Sequence, residues 1–173
     1  MPTSIFKPRV SPGKLQSLAG KYPAEYDHEI ESVLAPQVKK RGYFSKPEFE
    51  QICAWKTPRS KPKVAGNSAE FIEAATRTAL STASEQLRVE VLTLLHGVSW
   101  PTASVVLHFC HQEPYPILDV RALWSLGVDA SKVPYTFDLW WDYTQVCRGL
   151  AKSTGLSMRQ LDRALWQYSK DNQ

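Results

Sequence analysis

Cysteine is scarce in this sequence, and its placement excludes several classes of protein. The chain has 173 residues and three cysteines, Cys53, Cys110 and Cys147, which lie far apart in sequence. No CxxC pair and no Cys/His pair has the spacing of a zinc site or an iron–sulfur cluster. An odd, scattered set is also unlike the disulfide framework of a small secreted domain. We expect three reduced, mostly buried thiols in a cytoplasmic protein.

Long apolar runs are absent as well. No segment reaches the roughly 18 apolar residues that a membrane span needs. The first residues, MPTSIFKPRVSPGK, contain no apolar signal core. Hydrophobic residues make up 43% of the chain and charged residues 22%, which is typical of a globular protein of one domain or two small lobes. We therefore expect no membrane span and no export by a signal peptide.

Strand signals are weak, whereas helix signals recur throughout. There is no Asn-Gly or Asp-Gly hairpin, little strict alternation and no internal repeat. Ser45 and Ser157 are typical helix caps, and the sequence predicts an all-α protein. The predicted helices begin at Ser11-Pro12 and continue with 26–39 (interrupted near Pro36), 45–56, 67–79, 84–95, 101–110, 118–126, 137–152 and 157–170. The helix at 84–95 has an apolar stripe that we expect to face the core, formed by Leu87, Val91, Leu94 and Leu95.

The segment LLHGVSWPTASVVLHF, at 94–109, has apolar ends at helical spacing and a middle that interrupts the helix. Gly97 allows the backbone to reverse direction, Val98 can pack beneath the turn, and Pro101 suits the first position of a second helix. Free amides beside a helix N-terminus bind phosphate. We expect the amides of Ser99, Trp100 and Thr102 to bind phosphate in this way. A plain helical corner without a ligand is the alternative.

A second segment, YPILDVRALWSLG, places Asp119 in an otherwise apolar run, 18 positions after Pro101. The hairpin, this spacing and the apolar lead-in to the aspartate together resemble the helix–hairpin–helix superfamily of DNA glycosylases, over roughly 87–127. In that superfamily the hairpin pattern is Leu-x-Gly-Val-Gly-x-Lys/Ser-Thr-Ala. The segments WKTPRS and MRQLDRALWQYSK also look like a group of bacterial proteins in this superfamily.

The resemblance implies a particular all-α architecture. It consists of one compact unit over residues 1–173, made of two small helical lobes with a cleft between them. The central lobe would cover approximately 45–118 and include the hairpin at 94–103. The second lobe would combine 1–44 with 119–173.

The resemblance also implies a catalytic role for Asp119. Cleavage of an N-glycosidic bond develops positive charge on the sugar, and one carboxylate near that sugar stabilises the charge and orients or deprotonates a water. Free amides at the start of the following helix would favour the ionised carboxylate. A helix cap without catalytic function is the alternative for this residue.

Two departures from the family pattern matter. Pro101 stands where members that also nick the strand have a nucleophilic lysine, and proline has no amine to form a Schiff base. This predicts base release without efficient strand cleavage. Ser99 replaces the second glycine of the hairpin, which predicts a slightly reshaped turn. We expect no organic cofactor and no metal held by side chains, although the hairpin carbonyls in this family can hold K⁺ or Na⁺.

The basic balance is compatible with a polyanionic partner without establishing one, and the resemblance leads us to expect a monomer that binds double-stranded DNA. The formal charge is +4, and four cations crowd into WKTPRSKPK, which we expect to be an exposed loop. Arg121 stands where some family members have a phosphate-facing histidine, and a salt bridge within the fold is its equal alternative. The residues expected to contact DNA are Gly97, Val98, Ser99, Trp100, Thr102, Arg121, Lys56, Arg59 and Asn67. For Lys56, Arg59 and Asn67, a solvated basic loop is the alternative.

The first hypothesis for function is thus a monofunctional DNA glycosylase that flips out and excises a damaged or modified base. A non-catalytic helix–hairpin–helix DNA-binding protein is the second, and a helical interaction protein without a nucleic-acid role is the third. Oxidised or alkylated purines, mismatched bases and bulky modified bases of phage DNA all stay open as substrates. Repair and defence against foreign DNA are the two corresponding settings.

Overall fold

The structure is a computed structural model that describes residues 4–173. Over that range the chain is helical and contains no β-strand, which confirms the predicted all-α class. No helix within it is both long enough and apolar enough to cross a bilayer. The α-helices of this range are α1 (Leu15–Lys21), α2 (Ala35–Arg41), α3 (Lys46–Lys56), α4 (Lys61–Val64), α5 (Ala69–Ser81), α6 (Glu85–Thr93), α7 (Trp100–Cys110), α8 (Val120–Ser125), α9 (Phe137–Thr154) and α10 (Met158–Asn172).

The chain divides into two compact units. The terminal unit combines the residues up to Pro23 with Pro114–Gln173, and the middle unit is Ala24–Glu113. These boundaries differ from the expected lobes at 45–118 and at 1–44 plus 119–173. Residues 24–44 belong to the middle unit because α2 packs against α7.

Residues 114–118 belong to the terminal unit through two contacts with α9. The Tyr115 ring stacks on Trp140 with centroids 5.6 Å apart. The Tyr143 hydroxyl donates to the Ile117 carbonyl at 2.7 Å. Both contacts join residues some 25 positions apart, so local spacing in the sequence did not indicate them.

In the terminal unit, α10 packs against α1 and α8, and its N-terminus begins at the predicted cap Ser157, which forms a capping box with Gln160. An extended N-terminal segment crosses the end of α8. The amides of Lys7 and Arg9 donate to the carbonyls of Leu126 and Ser125, each at 2.8 Å.

Glycine is required where this segment meets α8. Gly127 has φ +84°, and a Cβ at that position would lie 2.2 Å from the Lys7 carbonyl oxygen. Any side chain would therefore displace the N-terminal segment.

The middle unit is built from locally capped helices. Ser45 and Glu48 form a capping box at the start of α3, and the Ser45 amide donates to Glu48 at 2.9 Å. Ser68 and Ser84 accept from the third amide of α5 and α6, respectively. Each cap satisfies a donor that the helix cannot satisfy itself, which is why these starts could be predicted. The large buried side chains of this unit include Phe44, Phe49, Ile52, Ile72, Leu92, Leu95 and Leu107.

The interruption predicted near Pro36 takes an unexpected form. A 3₁₀ turn at Ala24–Asp27 and a π-helical turn at Ile30–Leu34 precede α2, and Pro36 lies in the first turn of α2. The Ala35 amide donates to Ile30, five residues earlier. Proline crowds the carbonyl four residues before it, and the wider π-turn relieves that crowding without ending the helical path.

The apolar stripe predicted on α6 is wrong in part. Leu87 and Leu94 are 45% and 64% exposed, whereas Val89, Leu92 and Leu95 are buried. Arg88 is buried on the same face, and its guanidinium donates to the Ala79 carbonyl at 3.0 Å. The buried face of α6 therefore includes Arg88, and it is displaced by about one residue from the face that the apolar residues alone predicted.

Candidate functional site

The turn between α6 and α7 depends on Gly97. Gly97 has φ +78°, and a Cβ there would lie 2.8 Å from Val64 Cγ2 and 3.0 Å from Lys63 Cβ. The Val98 amide closes the turn by donating to Leu95 at 3.2 Å, and the Val98 side chain is buried as expected. The hairpin thus needs glycine both for its backbone conformation and for its close approach to α4.

Asn67 fixes the hairpin from within. Its side-chain amide donates to the carbonyls of Val64 and His96, each at 2.9 Å, and its side-chain oxygen accepts from the His96 amide at 2.8 Å. Asn67 is 2% exposed. Asn67 was predicted to contact DNA, but its side chain holds the turn, and all the polar atoms of that side chain are engaged there.

The start of α7 presents amides without partners. Ser99 is the N-cap residue and is exposed, Trp100 is half-buried, and Pro101 lies in the first turn. Within residues 4–173, no acceptor is hydrogen-bonded to the amides of Gly97, Ser99, Trp100 or Thr102. The Thr102 side chain is buried, so only its backbone is suited to a ligand. Amides in this arrangement at a helix start are donors that suit an anion.

Three exposed cations follow α3. The segment expected to be a loop consists of a 3₁₀ turn (Pro58–Ser60) and α4, with a proline in the first turn of each. Among the described residues, none forms an ion pair with Arg59, Lys61 or Lys63. The Cβ of Lys63 lies beside Gly97, so this exposed side chain starts next to the hairpin. Lys56, the last residue of α3, is half-buried.

Asp119 caps α8 in the terminal unit. Its Oδ1 accepts from the Arg121 amide at 2.8 Å, and the residue is half-buried. The four residues before it are buried, and the hydrogen bond from Tyr143 to Ile117 anchors them. The hydrogen bond of the cap orients the carboxylate at the start of α8.

Tyr135 is a neighbour of Asp119 that the sequence analysis missed. Burial and the negative charge of Asp119 raise the pKa of Tyr135 above its ordinary value. Tyr135 is half-buried just before α9, 16 positions after Asp119, and no motif marks it. The phenol is therefore a neutral donor in the electrostatic range of the carboxylate.

Arg121 stacks on an aromatic ring. Its guanidinium carbon lies 5.4 Å from the centroid of the Trp166 ring. No carboxylate among residues 4–173 forms an ion pair with Arg121, so the salt bridge considered as its alternative does not occur within that range. Its hydrogen-bond donors keep their capacity for an anion.

No known relative was found. Comparisons with protein-family models, with curated proteins and with solved structures gave no match to this chain. The case for a function therefore rests on the residues themselves.

The cysteines do not form a reactive site. Burial raises the pKa of both Cys53 and Cys110 to about 12, and burial raises that of Cys147 further still. Within residues 4–173, no group of three or more His, Cys, Asp or Glu side chains is arranged to hold a metal ion. Near neutral pH the three thiols are protonated core residues.

Proposed function

We propose that this protein is a monofunctional DNA glycosylase of the helix–hairpin–helix type. The observation that carries the proposal is the combination, in one chain, of a hairpin with unbonded amides and a capped, half-exposed Asp119. The resemblance in sequence joins these two features at the spacing of 18 residues.

The hairpin would bind DNA phosphate. The amides of Ser99, Trp100 and Thr102 offer donors beside the N-terminus of α7, and the neighbouring Lys63 adds positive charge. This pattern supports binding to the sugar–phosphate backbone rather than to base edges, because amides at a helix start recognise anions and not sequence.

A monovalent cation fits the same turn. The carbonyls of Gly97 and Val98 accept no hydrogen bond from any residue at 4–173, and carbonyl oxygens are suitable ligands for K⁺ or Na⁺. When bound, the ion would supply positive charge that favours phosphate binding at the hairpin.

Asp119 would act on the flipped-out nucleotide. As the bond between the base nitrogen and C1′ breaks, the electron pair leaves with the base and positive charge develops on the sugar. The carboxylate stabilises this charge and accepts a proton from the water whose oxygen bonds to C1′. The released base gains a proton, and the products are the free base and an abasic site.

Pro101 determines whether the strand is cleaved after base release. The position lacks an amine, so no covalent link to C1′ forms there and the strand stays intact after base release. The protein would therefore release a base without acting as an efficient lyase.

The test is a search for abasic sites. Duplex oligonucleotides, each with one oxidised, alkylated, mismatched or bulky modified base, and phage DNA with natural modifications are incubated with the protein and then heated in alkali. The expected result is cleavage at one class of altered base only after alkali. The proposal fails if no substrate in the panel gains alkali-labile sites.

A non-catalytic DNA-binding protein is the second candidate. Asp119 already has a structural task as the cap of α8, which favours this candidate. Salt-dependent binding to duplex DNA without alkali-labile sites in any substrate would identify it.

A further inference from the structure

A second basic surface lies on α10, on the opposite unit from the hairpin. Arg159, Arg163, Trp166 and Lys170 are spaced by four, three and four residues, so they follow one face of the helix. The first of these cations is neutralised, because Arg159 donates to Asp162 at 2.7 Å.

Aromatic rings arrange the other cations. The Lys170 ammonium lies 5.2 Å and the Arg121 guanidinium 5.4 Å from the centroid of the Trp166 ring. Tyr22, the residue that follows α1, meets Trp166 edge-on at 5.3 Å, and Arg163 lies 5.5 Å from the centroid of Tyr22. Helices α1, α8 and α10 thus contribute to one surface, here called the α10 cationic face: Tyr22, Arg121, Arg163, Trp166 and Lys170.

The ring contacts leave the positive charges of Arg121 and Lys170 without an acidic partner within residues 4–173. Among the described residues, no carboxylate forms an ion pair with Arg121 or Lys170. A ring face orders the side chain but does not occupy its N–H donors, so those donors are available to an anion. The terminal unit as a whole has eleven Lys and Arg against six Asp and Glu, a net charge of +5.

We propose that the α10 cationic face binds the phosphate backbone of DNA, as a contact separate from the hairpin. Arg121 and Lys170 both lie within 5.4 Å of the centroid of the Trp166 ring, so they place two positive charges at one position on the surface, where the phosphates of a strand could accept from both. The inference rests on the proposed function for the identity of the partner. It adds a binding contact at Lys170 on α10, outside the hairpin and outside the segment 87–127 that contains the hairpin and Asp119.

The test measures how binding to an unmodified 20-base-pair duplex depends on salt. The face variant combines Arg121→Gln with Lys170→Gln. The control combines Lys14→Gln with Lys132→Gln, which removes the same charge from the same unit, and Lys132 is already paired with Asp129 at 3.3 Å. Each lost phosphate contact reduces the magnitude of the negative slope of log K against log salt by about 0.9. The slope of the face variant should therefore be about 1.8 shallower than that of the wild-type protein, and the slope of the control should be unchanged.

Lys170→Gln alone keeps the test decisive if the double variant is unstable. Lys170 is exposed at the end of α10, and its replacement should lower the slope by about 0.9 with an unchanged melting temperature. Equal slopes in the face variant and the control would overturn the proposal. Equally strong competition by polyglutamate, or tighter binding to an RNA duplex, would overturn the assignment to DNA.

This result is independent of catalysis. The duplex contains no altered base, so failure of the glycosylase proposal appears as the absence of alkali-labile sites. Failure of the binding proposal appears as an unchanged salt slope.

Discussion

The two units of the molecule carry their charge in different ways. The terminal unit has a net charge of +5, whereas the middle unit has ten Lys and Arg against eleven Asp and Glu, a net charge of −1. Within the middle unit the charges are segregated along the chain. Residues 25–31 include four acidic and no basic residues, and residues 56–63 include four basic and no acidic residues.

This difference between the units shows that the total charge of +4 does not indicate where a polyanion would bind. In the middle unit, backbone amides and a short basic segment meet at a turn that Asn67 holds. In the terminal unit, cations from separate helices converge on Trp166. The first surface depends on backbone geometry and the second on side-chain charge, so mutations can separate them.

The largest effect on stability is expected from Gly127→Ala in the terminal unit. A methyl group at φ +84° and 2.2 Å from the Lys7 carbonyl should lower the free energy of unfolding by roughly 4 kcal/mol. Gly155→Ala is the matched control, because Gly155 also has a positive φ (+72°) but faces open space, and should cost about 1 kcal/mol. Hydrogen exchange should show lost protection in α8 and α10 but not in α5–α7. Equal losses of protection in both units would contradict the expectation that the substitution affects the terminal unit alone.

The next effect is expected from Asn67→Ala in the middle unit. The change leaves the His96 amide and two carbonyls without their side-chain partner, at a cost of about 2–3 kcal/mol. Urea denaturation measures this loss. Asn172→Ala, at an exposed helix end, should change stability by less than about 0.5 kcal/mol. Similar values for both variants would show that Asn67 does not hold the turn.

The third effect is expected from Gly97→Ala, which should lower both the free energy of unfolding and the affinity for DNA. The added Cβ meets Val64 and tilts the turn amides, and the expected cost in stability is about 2 kcal/mol. Gly42→Ala tests the strain alone, because Gly42 has φ +87° with nothing near its would-be Cβ. Binding to duplex DNA should fall at least tenfold for Gly97→Ala only. Unchanged binding would remove the hairpin from the DNA surface.

The smallest effect on stability is expected from ionisation of the cysteine thiols, which matters only in alkaline solution. Burial raises the pKa of Cys53 and Cys110 from 9.0 to about 12, so the folded state favours the protonated thiols. Their contribution is complete below pH 9, the unfolded value, and is lost as the pH rises from 9 towards 12. The free energy of unfolding should decline over that window, and less so in a variant with alanine at all three cysteines.

Thiol labelling at pH 8 also compares the units directly. Cys53 and Cys110 report on opening of the middle unit and Cys147 on opening of the terminal unit. We expect Gly127→Ala to speed the labelling of Cys147 alone. Rapid labelling of all three in the wild-type protein would contradict their burial.

Much of the fold could be predicted because its signals are local. The caps at Ser45 and Ser157 and the breaks at Gly97 and Pro101 act within four residues of themselves, and each stands at the predicted position. The prediction of the buried face of α6 was wrong in part because Arg88 lies on that face and donates to the Ala79 carbonyl of another helix, α5.

The parts that could not be predicted depend on distant partners. Asn67 meets His96 29 positions away, so a polar residue in a basic stretch looked like a surface contact. Tyr135 and the α10 cationic face have no motif, because the residues that complete them come from other helices. Pairings of this kind are set by tertiary packing and not by the local pattern.

The most direct test of the account compares two aspartates that cap helical turns in the same unit. Asp119 and Asp129 each accept from the amide two residues later, at 2.8 and 3.0 Å, and asparagine is an equally good cap. On the substrate identified by alkali cleavage, Asp119→Asn should slow base release by about 10³-fold or more at unchanged DNA affinity, while Asp129→Asn should keep the wild-type rate. Base release by Asp119→Asn at the rate of Asp129→Asn would contradict the account.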